Sequence, residues 1–383
     1  MSFKPSDLRI GVLGGGQLGK MLAQEASKLD IELTFLDKSK DFPAGKVSPL
    51  FVEGDFNDYD TVMRFGKNYD IITIEIEHVN LQALFDLERS GKKVFPQPHI
   101  LQMIQDKGLQ KQYFLEHGYP TAPFLLIHDA QEIQLKMDEG SINYPFVQKT
   151  RTGGYDGKGV SIIKNKSNLD LLLPGPSVIE QLADIQTEIS IIAVRNSQGE
   201  CKTYPGVSMD FHPTANLVEF LNCPAGLSAE LESQAESLAF RLANELGIVG
   251  LLAVEMFVNK DGTIWINEMA PRPHNSGHHT LDNGATSQFA NHIRAISGLP
   301  LGDTHGDRAA IMINLIGEKD YSGPVRYQGM ESCLELDGVH IHLYGKLETK
   351  PFRKMGHITL TGIDLDECRR KANFVSNTIK VIS

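Results

Sequence analysis

Apolar positions along this chain fall into two alternating rhythms. LRIGVLGGG is a short apolar run that closes in glycines, and QLGKMLAQEASKLD then repeats its apolar residues at helical spacing. IELTFLD follows as a second strand pattern, and YDIITIEIEHV, from Tyr69, as a third. The third turns polar late, at Glu75, Glu77 and His78, where a buried strand should stay apolar. Strands alternating with helices over the first hundred or so residues predict a doubly wound α/β domain with a mostly parallel sheet, and in such sheets ligands sit beyond the carboxyl ends of the strands.

PQPHILQMIQDKGLQKQYFLEHGYPTAPF marks a change of domain: a proline-bounded link, a helix running to about His117, then a Gly and Pro stop. A strand-rich stretch follows in YPFVQKT, VSIIKN, SVIEQLA and TEISIIAVRN. SAELESQAESLAFRLANELG predicts a long amphipathic helix leading into GLLAVEMFVNKDGTIWINEMAPRPHNSGH, two strands joined by an Asp-Gly hairpin turn. From about Asp307 the pattern becomes strands and loops with basic residues in YGK and PFRK. The expected domains are therefore 1–100, 101–304 and 305–383, the last small and β-rich.

Composition narrows the possibilities. A chain of 383 residues is longer than one usual core, in keeping with two or three domains. A net charge of -11 argues against a general nucleic-acid binder, which needs a basic face. The cysteines Cys201, Cys223, Cys333 and Cys368 lie far apart without a zinc or disulfide spacing. The opening residues lack a secretory pattern, and no long apolar run suggests a membrane span, so a cytoplasmic protein is expected.

Gly14, Gly16 and Gly19 form G-x-G-x-x-G between a strand and a helix, with Asp37 at the end of the next strand. The pattern suits a dinucleotide, but its physical content is a set of backbone amides that would receive any phosphate. A second glycine loop, RTGGYDGKG, lies between strands and is no Walker loop. Such a hairpin can close over phosphates, with Lys149 and Lys158 as point charges; alone, it could equally be a solvated turn. Downstream, Glu255 and Glu268 each interrupt an apolar strand, and the Asp-Gly turn makes those strands neighbours. Two carboxylates with Asn267 beside them are hard oxygen donors of the kind that hold Mg²⁺ together with substrate phosphates. IEQLADIQTEIS adds Glu180 and Glu188: a strand leading into a short connector offers backbone groups to an adenine edge, and a nearby carboxylate can accept from ribose hydroxyls, although either residue could equally be a solvent-facing strand position.

Together, Lys149, GGYDGKG, EQ followed by Glu188, Glu255 and the Asn267–Glu268 pair resemble the ATP-grasp superfamily, whose two subdomains clamp ATP. Within it, RTGGYDGKG, INEMAPRPHNSGH, GGGQLGKML and RKMGHITLTG are similar to the N5-carboxyaminoimidazole ribonucleotide synthase family. The resemblance implies an ATP-grasp architecture behind the parallel-sheet domain, and a homodimer. The implied reaction is ATP- and bicarbonate-dependent carboxylation of 5-aminoimidazole ribonucleotide through carboxyphosphate, with two Mg²⁺ ions. It implies ATP contacts at Lys107, Lys149, the loop Gly154, Tyr155, Asp156, Gly157, Lys158, Gly159 and Val160, the hinge Glu180, Gln181, Leu182 and Ala183, and Glu188, Asn267 and Glu268. It implies metal ligands at Glu255 and Glu268. The ribonucleotide and bicarbonate end would use Gly16, Gln17, Leu18, Glu77, His274, Asn275, Lys346 and Arg353, with Tyr155, Asp156, Arg272 and Lys354 nearest the chemistry. Lys107 stands where some relatives carry arginine. His278 and His279 are expected to be structural or to lie next to substrate, because Mg²⁺ prefers oxygen. Another ATP-grasp ligase using formate, a nicotinamide dehydrogenase and a non-catalytic nucleotide sensor are the alternatives.

Overall fold

The computed structural model describes residues 4–154, 159–211 and 218–383, so the expectations for Tyr155, Asp156, Gly157 and Lys158 fall outside the described residues. Five parallel strands open the chain: β1 (Ile10–Leu13), β2 (Leu33–Asp37), β3 (Phe51–Glu53), β4 (Ile71–Ile74) and β5 (Lys93–Phe95). Their order is β3-β2-β1-β4-β5, with the glycine loop running from β1 into helix α1 (Gln17–Ser27). The switch point of this doubly wound sheet lies between β1 and β4, beside that loop. β4 ends at Ile74, before the polar residues that the sequence placed within it.

A four-stranded antiparallel sheet forms the smaller part of the ATP-grasp region. It comprises β6 (Phe124–Ile127), β7 (Phe146–Thr150), β8 (Val160–Ile163) and β9 (Ser177–Gln181), in the order β6-β9-β7-β8. Ile127, Ile133, Phe146, Ile163 and Ile179 fill its own small core. Lys149 pairs with Val160, so the second glycine loop joins β7 to β8 at the turn end of their hairpin.

The larger part is one sheet built on β10 (Ile185–Arg195), β11 (Cys201–Thr203), β12 (Val207–Phe211), β13 (Val218–Cys223), β14 (Gly250–Asn259), β15 (Ile264–Ala270) and β16 (Ala309–Ile316). From the β15 edge the order runs β15-β14-β10-β12-β13-β16, then continues into Lys354–Gly362 and Val339–Leu343, while β11 pairs with β10 off this path. Hydrogen bonding therefore crosses residues 304 and 305 without a break: Leu221 of β13 pairs with Met312 of β16. The amphipathic helix Ala229–Leu246 lays Ala235, Leu238, Ala239 and Leu242 over Ile189, Ile191 and Val254. A third core joins all regions, packing Val12, Leu22 and Phe35 against Phe289, Ile293 and Tyr344.

Two features depart from the sequence pattern. The helix expected to run unbroken to about His117 is two helices, Pro98–Gln105 and Lys107–Glu116, broken at Asp106. Asp106 adopts an extended conformation and caps the second helix by accepting from the Gly108 and Leu109 amides at 2.8 and 3.3 Å. The C-terminal region also carries a helix, Leu365–Thr378, where strands and loops were expected. Its surface is polar enough to mask the pattern, but Cys368, Ala372 and Val375 form a narrow buried stripe.

Candidate active site

The centre of the site is made by a β-bulge. Across β14 and β15, Glu255 pairs with Glu268, yet the next residue, Met256, pairs with Ile266, leaving Asn267 as the extra residue. In a regular strand Asn267 and Glu268 would point to opposite faces; a bulge re-aims one of them. Both now reach the same cleft. Asn267 Oδ1 accepts from the Lys149 ammonium at 2.6 Å, and Glu268 pairs with Lys107, the first residue of the helix that Asp106 caps. Lys149 thus spans from the small sheet to the large one.

The charges are closely balanced. His274 Nε2 lies 3.4 Å from Glu255 Oε1. Burial, then the neighbouring Glu268 and Glu188, raise the Glu255 carboxyl above its ordinary range. Burial also opposes ionisation of Glu268, but attraction to Lys107 outweighs it and holds that carboxyl low. Glu188 is pushed up to about 7 by burial, against the pull of Lys149 and with Glu268 adding to the rise. A pair of facing carboxylates, one of them reluctant to ionise, is a donor set that a divalent cation would stabilise.

Glu180 lies one residue before the end of β9. Its carboxylate turns inward, 2.9 Å from Lys149 Nζ and 3.3 Å from Lys111 Nζ. Burial pushes it up, but the two lysines hold it below the usual carboxylate range. The backbone of this hinge is the part expected to meet an adenine edge, and the Gln181 amide donates to Pro123 O at 2.9 Å. Leu182 and Ala183 follow on the connector into β10, and Glu188 lies further along that strand.

The first glycine loop is occupied by the protein itself. Glu75 accepts from the Gly16 and Gly19 amides at 2.8 and 3.2 Å, and Asp37 accepts from Gly15 at 2.7 Å. Gly14 has φ of +99°, and a Cβ there would stand 2.7 Å from Glu75, so this tight approach needs glycine. Asp37 is buried, and its other oxygen accepts from the Lys38 amide at 2.7 Å. Both carboxylates therefore disfavour a dinucleotide at these amides. Gln17 and Leu18, in the first turn of α1, are what remains of the expected phosphate cradle.

Arg272 Nε pairs with Glu77 at 3.0 Å, joining β15's exit to the N-terminal domain. His274 caps the turn that begins at Asn275, its Nδ1 2.8 Å from Ser276 Oγ. Lys346 donates to Lys354 O at 2.7 Å, and Arg353 to Glu348 O at 2.8 Å. Gly154, Gly159 and Val160 border the second loop, with the Thr150 amide donating to Gly159 O at 2.9 Å. His278 and His279 are buried; His278 packs against His357 with ring centres 4.6 Å apart and the rings tilted by 38°.

Several residues escaped the sequence reading. Lys20 donates to Leu343 O at 2.7 Å and Lys46 to Gly345 O, which brings two further cations to the Tyr344–Lys346 segment. Burial, then the neighbouring Lys46, lowers the Lys20 pKa. Lys20 is one helical turn beyond Gln17, and that spacing was the available signal. Asp106 grips Arg151 at 2.9 and 2.6 Å, tying the base of the second glycine loop to the helix that carries Lys107. Lys111, one turn beyond Lys107, is pushed down to about 8 by burial, against the pull of Glu180.

Comparison with known proteins agrees with this architecture. Residues 8–105 match the ribonucleotide synthetase preATP-grasp domain, 112–289 the ATP-grasp domain, and 310–371 the phosphoribosylaminoimidazole carboxylase C-terminal domain. The chain is 37% identical to the N5-carboxyaminoimidazole ribonucleotide synthase of Bacillus subtilis, over 94% of this chain and 92% of that one. It superposes on the N5-carboxyaminoimidazole ribonucleotide synthetase of Thermotoga maritima with a TM-score of 0.89 at 37% identity, covering 98% and 99% of the two chains. The N5-carboxyaminoimidazole synthase of Aspergillus clavatus, solved with ADP and 5-aminoimidazole ribonucleotide, gives 0.88 at 31% identity, covering 97% and 98%. With three matched domains in order and likeness running nearly end to end, the chain belongs to the N5-carboxyaminoimidazole ribonucleotide synthase family of ATP-grasp enzymes.

Proposed function

We propose that this ATP-dependent ligase carboxylates the exocyclic amine of 5-aminoimidazole ribonucleotide in purine biosynthesis, taking its carbon from bicarbonate and passing through carboxyphosphate. The observation that carries this reading is the cleft in which Lys149 and Lys107 flank the facing Glu255 and Glu268 between two sheets. The Aspergillus clavatus relative, with ADP and the ribonucleotide bound together, supports it.

In this reading a bicarbonate oxygen attacks the γ-phosphorus of ATP and ADP departs. Carboxyphosphate then releases phosphate and CO₂ beside the amine, which bonds to carbon and loses a proton. Lys107 and Lys149 set positive charge against the nucleotide phosphates, and Glu188 accepts from the ribose hydroxyls. Gly154 to Val160, including Tyr155, Asp156, Gly157 and Lys158, closes as a lid that keeps water from the labile intermediate. Asp156 orients the amine. Arg272, His274 and Asn275 meet the bicarbonate; Gln17, Leu18, Lys346, Arg353 and Lys354 meet the ribose phosphate, and Glu77 holds Arg272 in place. Glu255 and Glu268, with Asn267, hold two Mg²⁺ ions, which when bound neutralise charge on the transferring phosphoryl group. Among the described residues no group of three or more His, Cys, Asp or Glu side chains converges on one point. Among the same residues no helix is long and apolar enough to cross a membrane, and a cytoplasmic homodimer is part of the reading.

The test is ADP formation from MgATP and bicarbonate, with and without 5-aminoimidazole ribonucleotide, following labelled bicarbonate. Strong stimulation by the ribonucleotide and label in an acid-labile carbamate are expected. ATP cleavage indifferent to that ribonucleotide, or equal turnover with formate, would overturn the assignment.

A further inference from the structure

Lys149 holds Asn267 and Glu180 with two of its three ammonium protons, so giving more than the third to a nucleotide phosphate loosens its hold on Glu180. The two are 2.9 Å apart, and the Glu180 side chain is only 3% exposed. A buried carboxylate stripped of its cation is strongly unfavourable, so Glu180 alone would keep Lys149 at home. The structure supplies a second cation. Lys111, also 3% exposed, sits 3.3 Å from the other carboxylate oxygen, Oε1, and is fixed from behind by Thr121 Oγ1 at 2.6 Å and Ile266 O at 3.4 Å. Among the described residues Glu180 Oε1 has no hydrogen-bond donor in this arrangement. It is the open position onto which Lys111 can tighten, and an ammonium has a third proton to give.

We infer that Lys111 is a positioning residue for nucleotide binding: it keeps Glu180 neutralised so that Lys149 is free to turn from Glu180 to the phosphates of ATP. This rests on the reading that Lys149 meets ATP. Lys107 and Lys111 stand one helical turn apart on the helix Lys107–Glu116, so a single face of that helix supplies a cation to Glu268 and another to Glu180. With two lysines against one carboxylate, the cluster keeps a net positive charge turned toward a polyanionic ligand.

The experiment combines binding of a fluorescent ATP analogue with steady-state kinetics on the full chain, for Lys111→Met, Lys111→Arg, Glu180→Gln and the double variant Lys111→Met/Glu180→Gln. Lys111→Met should raise the KM for ATP about ten-fold while kcat changes far less, and Lys111→Arg should recover most of the loss. The double variant has no carboxylate left to neutralise, so its KM should return to that of Glu180→Gln alone. A Lys111→Met enzyme with wild-type KM would overturn the inference, and so would a double variant whose defect is the product of the two single ones. If Lys111→Met does not fold, the double variant, which leaves no buried carboxylate without a cation, decides the matter by the same comparison with Glu180→Gln. Absence of nucleotide binding by the wild-type chain would instead remove the underlying ATP assignment.

Discussion

Asp106 does two separable things, and substitutions can divide them. Its Oδ1 caps the helix that begins at Lys107, and the same carboxylate grips Arg151 with two hydrogen bonds. Asp106→Asn keeps a capping oxygen, since asparagine is as good an N-cap as aspartate, but turns one side of the Arg151 grip from acceptor to donor. The pair is about one-fifth to one-quarter exposed (25% for Arg151, 20% for Asp106), so its loss should cost about 1 kcal/mol. Asp106→Ala removes the cap as well and should cost about 2 kcal/mol in all. Both variants release the base of the second glycine loop, because the Lys107 amide donates to Arg151 O at 2.8 Å and the ion pair holds that junction shut. Only the alanine variant also frays the first turn, where Lys107 reaches Glu268. Urea unfolding followed by circular dichroism, with KM for ATP measured in parallel, should give a graded series. The asparagine variant should lose about 1 kcal/mol and bind ATP several-fold more weakly; the alanine variant should be worse on both counts. If the asparagine variant matches wild type in both measurements, the Arg151 tether carries no weight. If the alanine variant is no worse than asparagine, the cap does not position Lys107.

Two further outcomes follow from the cluster at Tyr344 and from buried imidazoles. Lys20→Met should raise the KM for the ribonucleotide about ten-fold and leave that for ATP within about two-fold, since Lys20 joins the segment that carries Lys346; equal effects on both substrates would refute the placement. His279 and His292 are buried and neutral, each pushed down to about 4 by burial, whereas an unfolded histidine titrates near 6.5. Below about pH 6.5 the unfolded chain takes up protons that the native one refuses, so stability should fall between about pH 6.5 and 4, by roughly 2 kcal/mol per histidine at pH 5. His292→Gln should flatten that slope in denaturant titrations, and an unchanged slope would show that His292 is protonated in the native state.

Much of this fold could be read from local pattern. Strand and helix rhythm located the parallel sheet, the long helix Ala229–Leu246 and the Asp-Gly hairpin, and the polar interruptions at Glu255 and Glu268 marked the centre of the cleft. What stayed hidden depends on partners distant in sequence. The bulge at Asn267 is a mismatch between two strands and has no signature in either one. Glu75 looked like a strand residue gone polar, yet it is the anion that fills the first glycine loop, and only the fold brings it to Gly16. Lys111 carried no signal in the sequence, because burial of that face depends on β9 and β15 arriving later in the chain.

The sheet that runs from β15 through β13 and β16 to Val339–Leu343 also sets the order in which this protein can finish folding during synthesis. When Cys223 leaves the ribosome, β13 has β12 on one side and nothing on the other. Its free amides and carbonyls remain a template for any extended chain until Ala309–Ile316 emerges. A nascent chain that stalls in between, or one truncated near residue 305, offers that bare edge to its neighbours. The C-terminal strands are thus the step that converts an adhesive intermediate into an inert enzyme.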